Sequence, residues 1–163
     1  MTPLTLDIQQ PAPFDIVGPT VLVGGNVTAF EATLTYNLSE GHDEVAGFFT
    51  VPSLQIGQFQ GQIDVPADVA FKGPRLDLRL ADDTGNENGP AVIIPVLYGP
   101  LMLSGYTGWR PHTVQSGDTL TKIARDTYGN DDFAPIVAAN PQTITDPNRI
   151  FIGQVLRIPV ADG

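Results

Sequence analysis

His112–Asn130, HTVQSGDTLTKIARDTYGN, is the stretch that decides how this chain is read. His112–Gln115 predicts a short strand and Ser116–Gly117 a turn. Asp118 or Thr119 then supplies a side-chain oxygen for the free amides of a helix start. Leu120, Ile123, Ala124 and Tyr128 follow at helical spacing, and Gly129–Asn130 ends the helix. Downstream, Asp131–Ala139 predicts a second short helix, with Asp131, Asp132 and Pro135 in its first turn. Asn140–Pro141 stops it. After a polar loop, Val155–Pro159 (VLRIP) closes the unit as a strand. The order strand, helix, helix, strand in fewer than 50 residues, with no cysteine to staple it, implies a small α+β core that uses nearly every apolar position.

Upstream the pattern changes. Gly99–Pro111 (GPLMLSGYTGWRP) is expected as a linker that lies against its neighbours, because Leu101, Met102, Leu103, Tyr106 and Trp109 are too apolar for a free one. Residues 1–98 read as β throughout. Val27–Leu38 alternates, with Phe30, Ala32, Leu34, Tyr36 and Leu38 on one face. Further strands are expected at Phe14–Val17, Val45–Val51, Phe59–Val65, Arg75–Ala81 and Ala91–Leu97. Turns are expected at Gly24–Gly25, Glu40–Asp43, Lys72–Pro74 and Asp82–Pro90. The expectation is an all-β sandwich of about seven strands (1–98), a linker (99–111) and the α+β module (112–160).

Charge narrows the partners. Of a net −10, residues 1–107 carry twelve acids against three bases, and residues 108–163 carry six against five. No basic stripe exists for a phosphate backbone, so nucleic acid is not an expected partner. No apolar run approaches the ~20 residues of a membrane helix. The first residues, MTPLTLDIQQPAP, lack the basic start and apolar stretch of a secretory signal. Location is therefore open between the cytoplasm and, with a signal further upstream, the cell envelope or spore wall.

The spaced elements Val114, Gly117–Leu120, Ile123–Ala124, Tyr128–Gly129, Ile136–Asn140 (IVAAN) and Ile150–Pro159 (IFIGQVLRIP) resemble the LysM family over the whole module. That resemblance implies a βααβ fold and binding of the N-acetylated sugars of peptidoglycan or chitin. It places a groove between Gly117, Asp118, Thr119 and Leu120 on one side and Asp146, Pro147, Asn148, Ile150, Phe151 and Ile152 on the other. Ile150–Ile152 would form an apolar shelf for an N-acetyl methyl group. Members often carry Pro before the final Gly-Gln, where this chain has Ile152, and an aromatic where it has His112. The first domain, through GGNVTAFEATLTYNL (24–38) with its Phe30–Glu31–Ala32 centre and AVIIPVLY (91–98), resembles the immunoglobulin-like domain of bacterial spore germination proteins. That implies an interaction or spacer module.

Sharper chemistry has little to rest on. His42 reads as a turn residue and His112 as a strand residue, and neither is accompanied by a nucleophile motif. Glu40/Asp43/Glu44 and Asp82/Asp83 fall in turns and Asp131/Asp132 at a helix start, so none is expected to be a glycosidase pair. Asp82–Gly89 (DDTGNENG) is rich in oxygen ligands for calcium but lacks EF-hand spacing, which favours a polar hairpin loop. Trp109 is expected to clasp the two domains, and one of Phe48 and Phe49 to stay outside the core. The expectation is thus a non-enzymatic glycan binder with no cofactor or metal, whose sandwich spaces it or engages a protein partner. The alternatives are an intracellular scaffold or stress-related protein, or a phage-tail assembly protein, using the module to bind protein.

Overall fold

Val21, Val23 and Val27 point one way along Thr20–Thr28 (β3) and are essentially solvent-free, while Thr20 and Leu22 point outward. This period-two burial is the signature of a strand with one wet face. In the computed structural model, which describes residues 5–28, 33–51, 56–82 and 91–162, β3 lies between Thr5–Gln10 (β1) and Ile56–Asp64 (β6) in an antiparallel sheet. A second sheet takes the order Ile16–Val17 (β2), Ala91–Tyr98 (β8), Arg75–Ala81 (β7), Thr33–Ser39 (β4) and Glu44–Thr50 (β5). Leu34 and Leu38 of β4 and Leu76, Leu78 and Leu80 of β7 face the valines of β3 and Ile63 of β6 in one core. Two sheets closing over one apolar layer make the sandwich. Phe49 enters that core beside the Tyr36 ring, at 4.8 Å between centroids, and Phe48 is 67 % exposed on the other face.

Two expectations for this region need correction. Gly24–Gly25 is no turn, because both residues lie inside β3. Gly25 is there because β1 crosses so closely that any Cβ would strike the Asp7 carbonyl. Val27–Leu38 is divided between the two sheets, with Val27–Thr28 in β3 and Thr33–Leu38 in β4. Its Phe30–Glu31–Ala32 centre lies outside the described residues, as do residues 83–90 of the polar loop expected at Asp82–Pro90. The sandwich also contains β1, which Leu6 and Ile8 alone were too few to announce.

The chain divides into two compact units, Met1–Tyr98 and Gly99–Gly163. The second opens with a short helix, Gly99–Met102 (α1), followed by Tyr106–Thr113 (β9), Leu120–Tyr128 (α2), Ala134–Ala139 (α3) and Val155–Ala161 (β10). Residues 99–111 are thus not a linker. They supply α1 and most of β9, which pairs antiparallel with β10, Trp109 standing opposite Pro159. Of the expected strand His112–Gln115 only His112 and Thr113 belong to β9, as the end of this longer strand. Leu120, Ile123 and Ala124 of α2, Ile136 of α3, Val114, Ile144, Leu156 and Ile158 fill the core. The acids Asp131 and Asp132 precede α3 instead of occupying its first turn. Asp132 accepts from the Ala134 amide (3.0 Å) and Asp131 pairs with Arg125 (2.7 Å).

Asn140 closes the unit. It is 2 % exposed. Its Nδ2 donates to the carbonyls of Ile136 and Arg157, both at 2.7 Å, and its Oδ1 accepts from the Arg157 amide at 2.8 Å. The side-chain amide thereby acts as one more rung on β10. Both Arg157 backbone groups point away from β9, and so do those of Pro111, its partner in the ladder. A proline fits there because the missing N–H faces no strand.

Candidate functional site

The turn between β9 and α2 is organised by one carboxylate. Asp118 Oδ2 accepts from the Gln115 amide (2.9 Å) and from His112 Nε2 (2.8 Å), while Oδ1 accepts from Lys122 Nζ (3.2 Å). These donors, the Gln115 amide foremost and then His112, hold the Asp118 carboxyl down at about 2. An ionised carboxylate only accepts, so His112 Nε2 carries the proton of that bond. Next along, Thr119 caps α2 by accepting from the Lys122 amide through Oγ1 (3.1 Å). The helix thus starts at a fixed place, with the first-turn amides of Leu120 and Thr121 beyond reach of any carbonyl of the same helix.

The facing wall is a loop shaped by its own side chains. Asp146 accepts from the Asn148 amide through Oδ1 (2.9 Å) and from the Arg149 amide through its carbonyl (3.0 Å), which sets Pro147 and Asn148 outward. Further on, the Gln154 amide donates to the Phe151 carbonyl (3.0 Å), and Gly153 takes φ +89° at the third position of this turn. That conformation suits glycine, and the second position, Ile152, is where such turns favour proline.

Between the two walls lies a groove of about 300 Å³ lined by Asp118, Thr119, Leu120, Pro147, Asn148 and Ile150, together with Thr121 and Phe133. Six of the ten residues named from sequence therefore converge. Gly117 and Asp146 lie in the flanking turns and do not line it. Phe151 and Ile152, expected as part of the shelf, are 63 % and 72 % exposed and lie outside the lining. Thr121 and Phe133 are the additions. Thr121 follows from its place in the first turn of α2. Phe133, the last residue before α3, fell inside the helix predicted over Asp131–Ala139 and gave no signal of its own.

The groove offers hydroxyls, one amide side chain and helix-start amides beside an apolar floor, and its single carboxylate is already committed to the turn. Of the other carboxylates singled out from sequence, Glu40, Glu44, Asp131 and Asp132 hold local structure. Glu40 accepts from the Asp43 amide (3.0 Å) and lies 3.3 Å from His42 Nδ1, which together hold its carboxyl below the usual range. Glu44 accepts from Asn37 (2.6 Å). Among the described residues no three His, Asp or Glu side chains gather as a metal site would require, and no helix is long and apolar enough to cross a membrane.

A β-sandwich followed by a small α+β unit with a shallow polar–apolar groove is the build of a modular binding protein. Residues 5–86, just over half of the chain, match the model of the immunoglobulin-like domain of bacterial spore germination, and the chain belongs to that family. Residues 112–159 match the LysM domain. Both are binding domains rather than catalytic ones. Among curated proteins the chain is similar to the potassium binding protein Kbp of Escherichia coli O6:H1, 47 % identical over 49 residues, which are 29 % of this chain and 33 % of that protein. It is also similar to the endolysin of Bacillus phage PZA, 42 % identical over 52 residues, 32 % of this chain and 19 % of that one. The chain spans a third or less of the length of these relatives. No solved structure matches it.

Proposed function

We propose that this protein is a non-enzymatic binder of N-acetylglucosamine-containing glycan, peptidoglycan or a chitin-like polymer, with the groove of the second unit as its site. The LysM match supports glycan binding in general. The observation that carries the finer reading is the meeting of two distant segments, 118–121 and 147–150, around a groove with both polar and apolar lining. An N-acetylated sugar needs that mixture. Its amide pairs with main-chain groups and with Asn148, its hydroxyls with Thr119 and Thr121, and its methyl lies against Leu120, Pro147 and Ile150. The acidic sandwich then serves as spacer or as a contact for another protein.

Sedimentation with insoluble peptidoglycan and with chitin tests this. The protein should pellet with one or both, and Thr121→Arg, which fills the groove and leaves the Thr119 cap intact, should remain in the supernatant. If the wild-type chain stays soluble while a known LysM protein pellets, the reading fails. A second reading, a scaffold that uses this domain to bind protein, draws on the exposed apolar tip Phe151–Ile152 outside the groove. Under that reading Ile152→Asp would abolish partner capture and leave glycan retention untouched.

A further inference from the structure

The outer face of the three-stranded sheet carries a trough of about 490 Å³ whose side walls are the glutamines Gln9, Gln10, Gln58 and Gln60 and whose floor is Gly24. Three features set it apart from an ordinary solvated face. First, Gly24 has no local reason to be glycine. Its φ is not in the left-handed region, and a Cβ built on it would have its nearest neighbours at 3.4 and 3.7 Å, an ordinary contact. Glycine inside a strand weakens it. Gly25 next door is demanded by the approach of β1, whereas the effect of Gly24 is to leave the floor open.

Second, the irregularity in β1 builds the wall. The register passes from Ile8 opposite Gly25 to Gln10 opposite Gly24, so Gln9 is an extra residue and two consecutive glutamines reach the same end of the trough. Bulges commonly re-aim side chains at binding sites. Third, the lining carries no formal charge in a chain of net −10. Among the described residues no hydrogen bond engages the side-chain amides of these four glutamines, in contrast to Gln62, which donates to Asp64 at 3.0 Å. Gln58 and Gln60 are neighbours on one face of β6, about 7 Å apart, and Leu22, 53 % exposed, extends the floor along β3.

We propose that this trough is a second glycan contact, one that takes an uncharged, hydroxylated and N-acetylated sugar chain. Amides that both donate and accept match the hydroxyls and acetamido groups of such a polymer. Leu22 and the bare backbone of Gly24 receive the apolar face of a sugar ring. Asp7 and Asp64, on the rows that flank the trough, repel a polyanion. The trough does not depend on the groove of the second unit.

The test is a titration of the isotopically labelled full chain with a soluble N-acetylglucosamine hexamer, followed residue by residue in NMR spectra. Side-chain amide signals of Gln58 and Gln60 and the backbone amides of Gly24 and Gly25 should shift. Gly24→Val, which fills the floor, should weaken binding read at those signals about tenfold, as for the loss of one or two neutral hydrogen bonds. The surface double variant Gln58→Ala/Gln60→Ala should do the same, read at the backbone amides of Gly24 and Gly25, without touching the core. Signals of Thr121 and Asn148 should titrate unchanged in both variants. Shifts confined to Thr119–Thr121 and Asn148 would overturn the proposal and leave the groove reading standing. Shifts confined to the trough would uphold it and sink the groove reading. Equal shifts at the trough with a sulfated polysaccharide would overturn the assignment of an uncharged ligand.

Discussion

Replacing Asn140 should cost the second unit more than any other polar substitution in it. Its amide makes three hydrogen bonds of 2.7–2.8 Å and is almost free of solvent. Asn140→Ala removes all three and leaves the Ile136 carbonyl and both Arg157 backbone groups without these partners. At about 1 kcal/mol for each neutral bond, and more wherever the deserted group stays dry, the loss comes to roughly 3–4 kcal/mol. For a unit of this size, each kcal/mol moves the melting midpoint by about 4–8 °C, so the expected fall is more than ~12 °C.

Trp109, the single tryptophan of the chain, lies in β9 and makes the assay selective for the second unit. Its fluorescence should report the lowered transition on heating or in urea. Asn140→Asp sharpens the test. It keeps the acceptor for the Arg157 amide but turns a second oxygen toward two carbonyls. It should be as damaging as alanine at pH 7 and should regain stability in acid, where the carboxyl is protonated and can donate. A midpoint shift below about 5 °C for Asn140→Ala, or a stable Asn140→Asp at pH 7, would refute the idea that this side chain serves as a rung of the sheet.

Asp118, held at about 2, contributes stability that is full above the ordinary carboxylate range and is lost as pH falls from about 4 through 2. After allowance for solvent screening this is roughly 1–2 kcal/mol, so urea midpoints of wild type and Asp118→Asn should differ at pH 6 and converge near pH 2; parallel curves would contradict the linkage. Gly25→Ala should destabilise the first unit by about 1–3 kcal/mol, because the new methyl must displace β1, whereas Gly24→Ala should leave it unchanged or stabilise it by up to about 1 kcal/mol; far-UV circular dichroism in urea compares them, and equal losses would contradict the close approach. Ile152→Pro should stabilise the second unit by about 0.4–1 kcal/mol by restricting the unfolded chain, and a lower midpoint in Trp109 fluorescence would show that the turn geometry is misjudged.

What could be read in advance was whatever local chemistry determines. Thr119 and Gly129 cap α2 as their residue types predict, and Leu120, Ile123 and Ala124 lie buried on one face because their spacing demands it. Arg75–Ala81 begins and ends where its alternation does. The failures share a different cause. Gly24–Gly25 looks like a turn, but the reason for Gly25 is the Asp7 carbonyl of a strand eighteen residues earlier. Gly108 and Pro111 look like linker residues, yet Pro111 stands in β9 because the ladder there turns both backbones outward, as the bonds from Asn140 to Arg157 record. The site behaves in the same way. Asp118, Thr119 and Leu120 could be placed because a cap fixes them. Ile152 could not, because a turn built around Gly153 directs its side chain away from the groove. Periodicity tells which face a side chain takes; it is silent on which edge a backbone group takes, and at Gly25, Pro111 and Ile152 the backbone decides. The trough at Gly24 follows from the same distinction, since a glycine required by neither backbone nor packing is left with the space above it as its explanation.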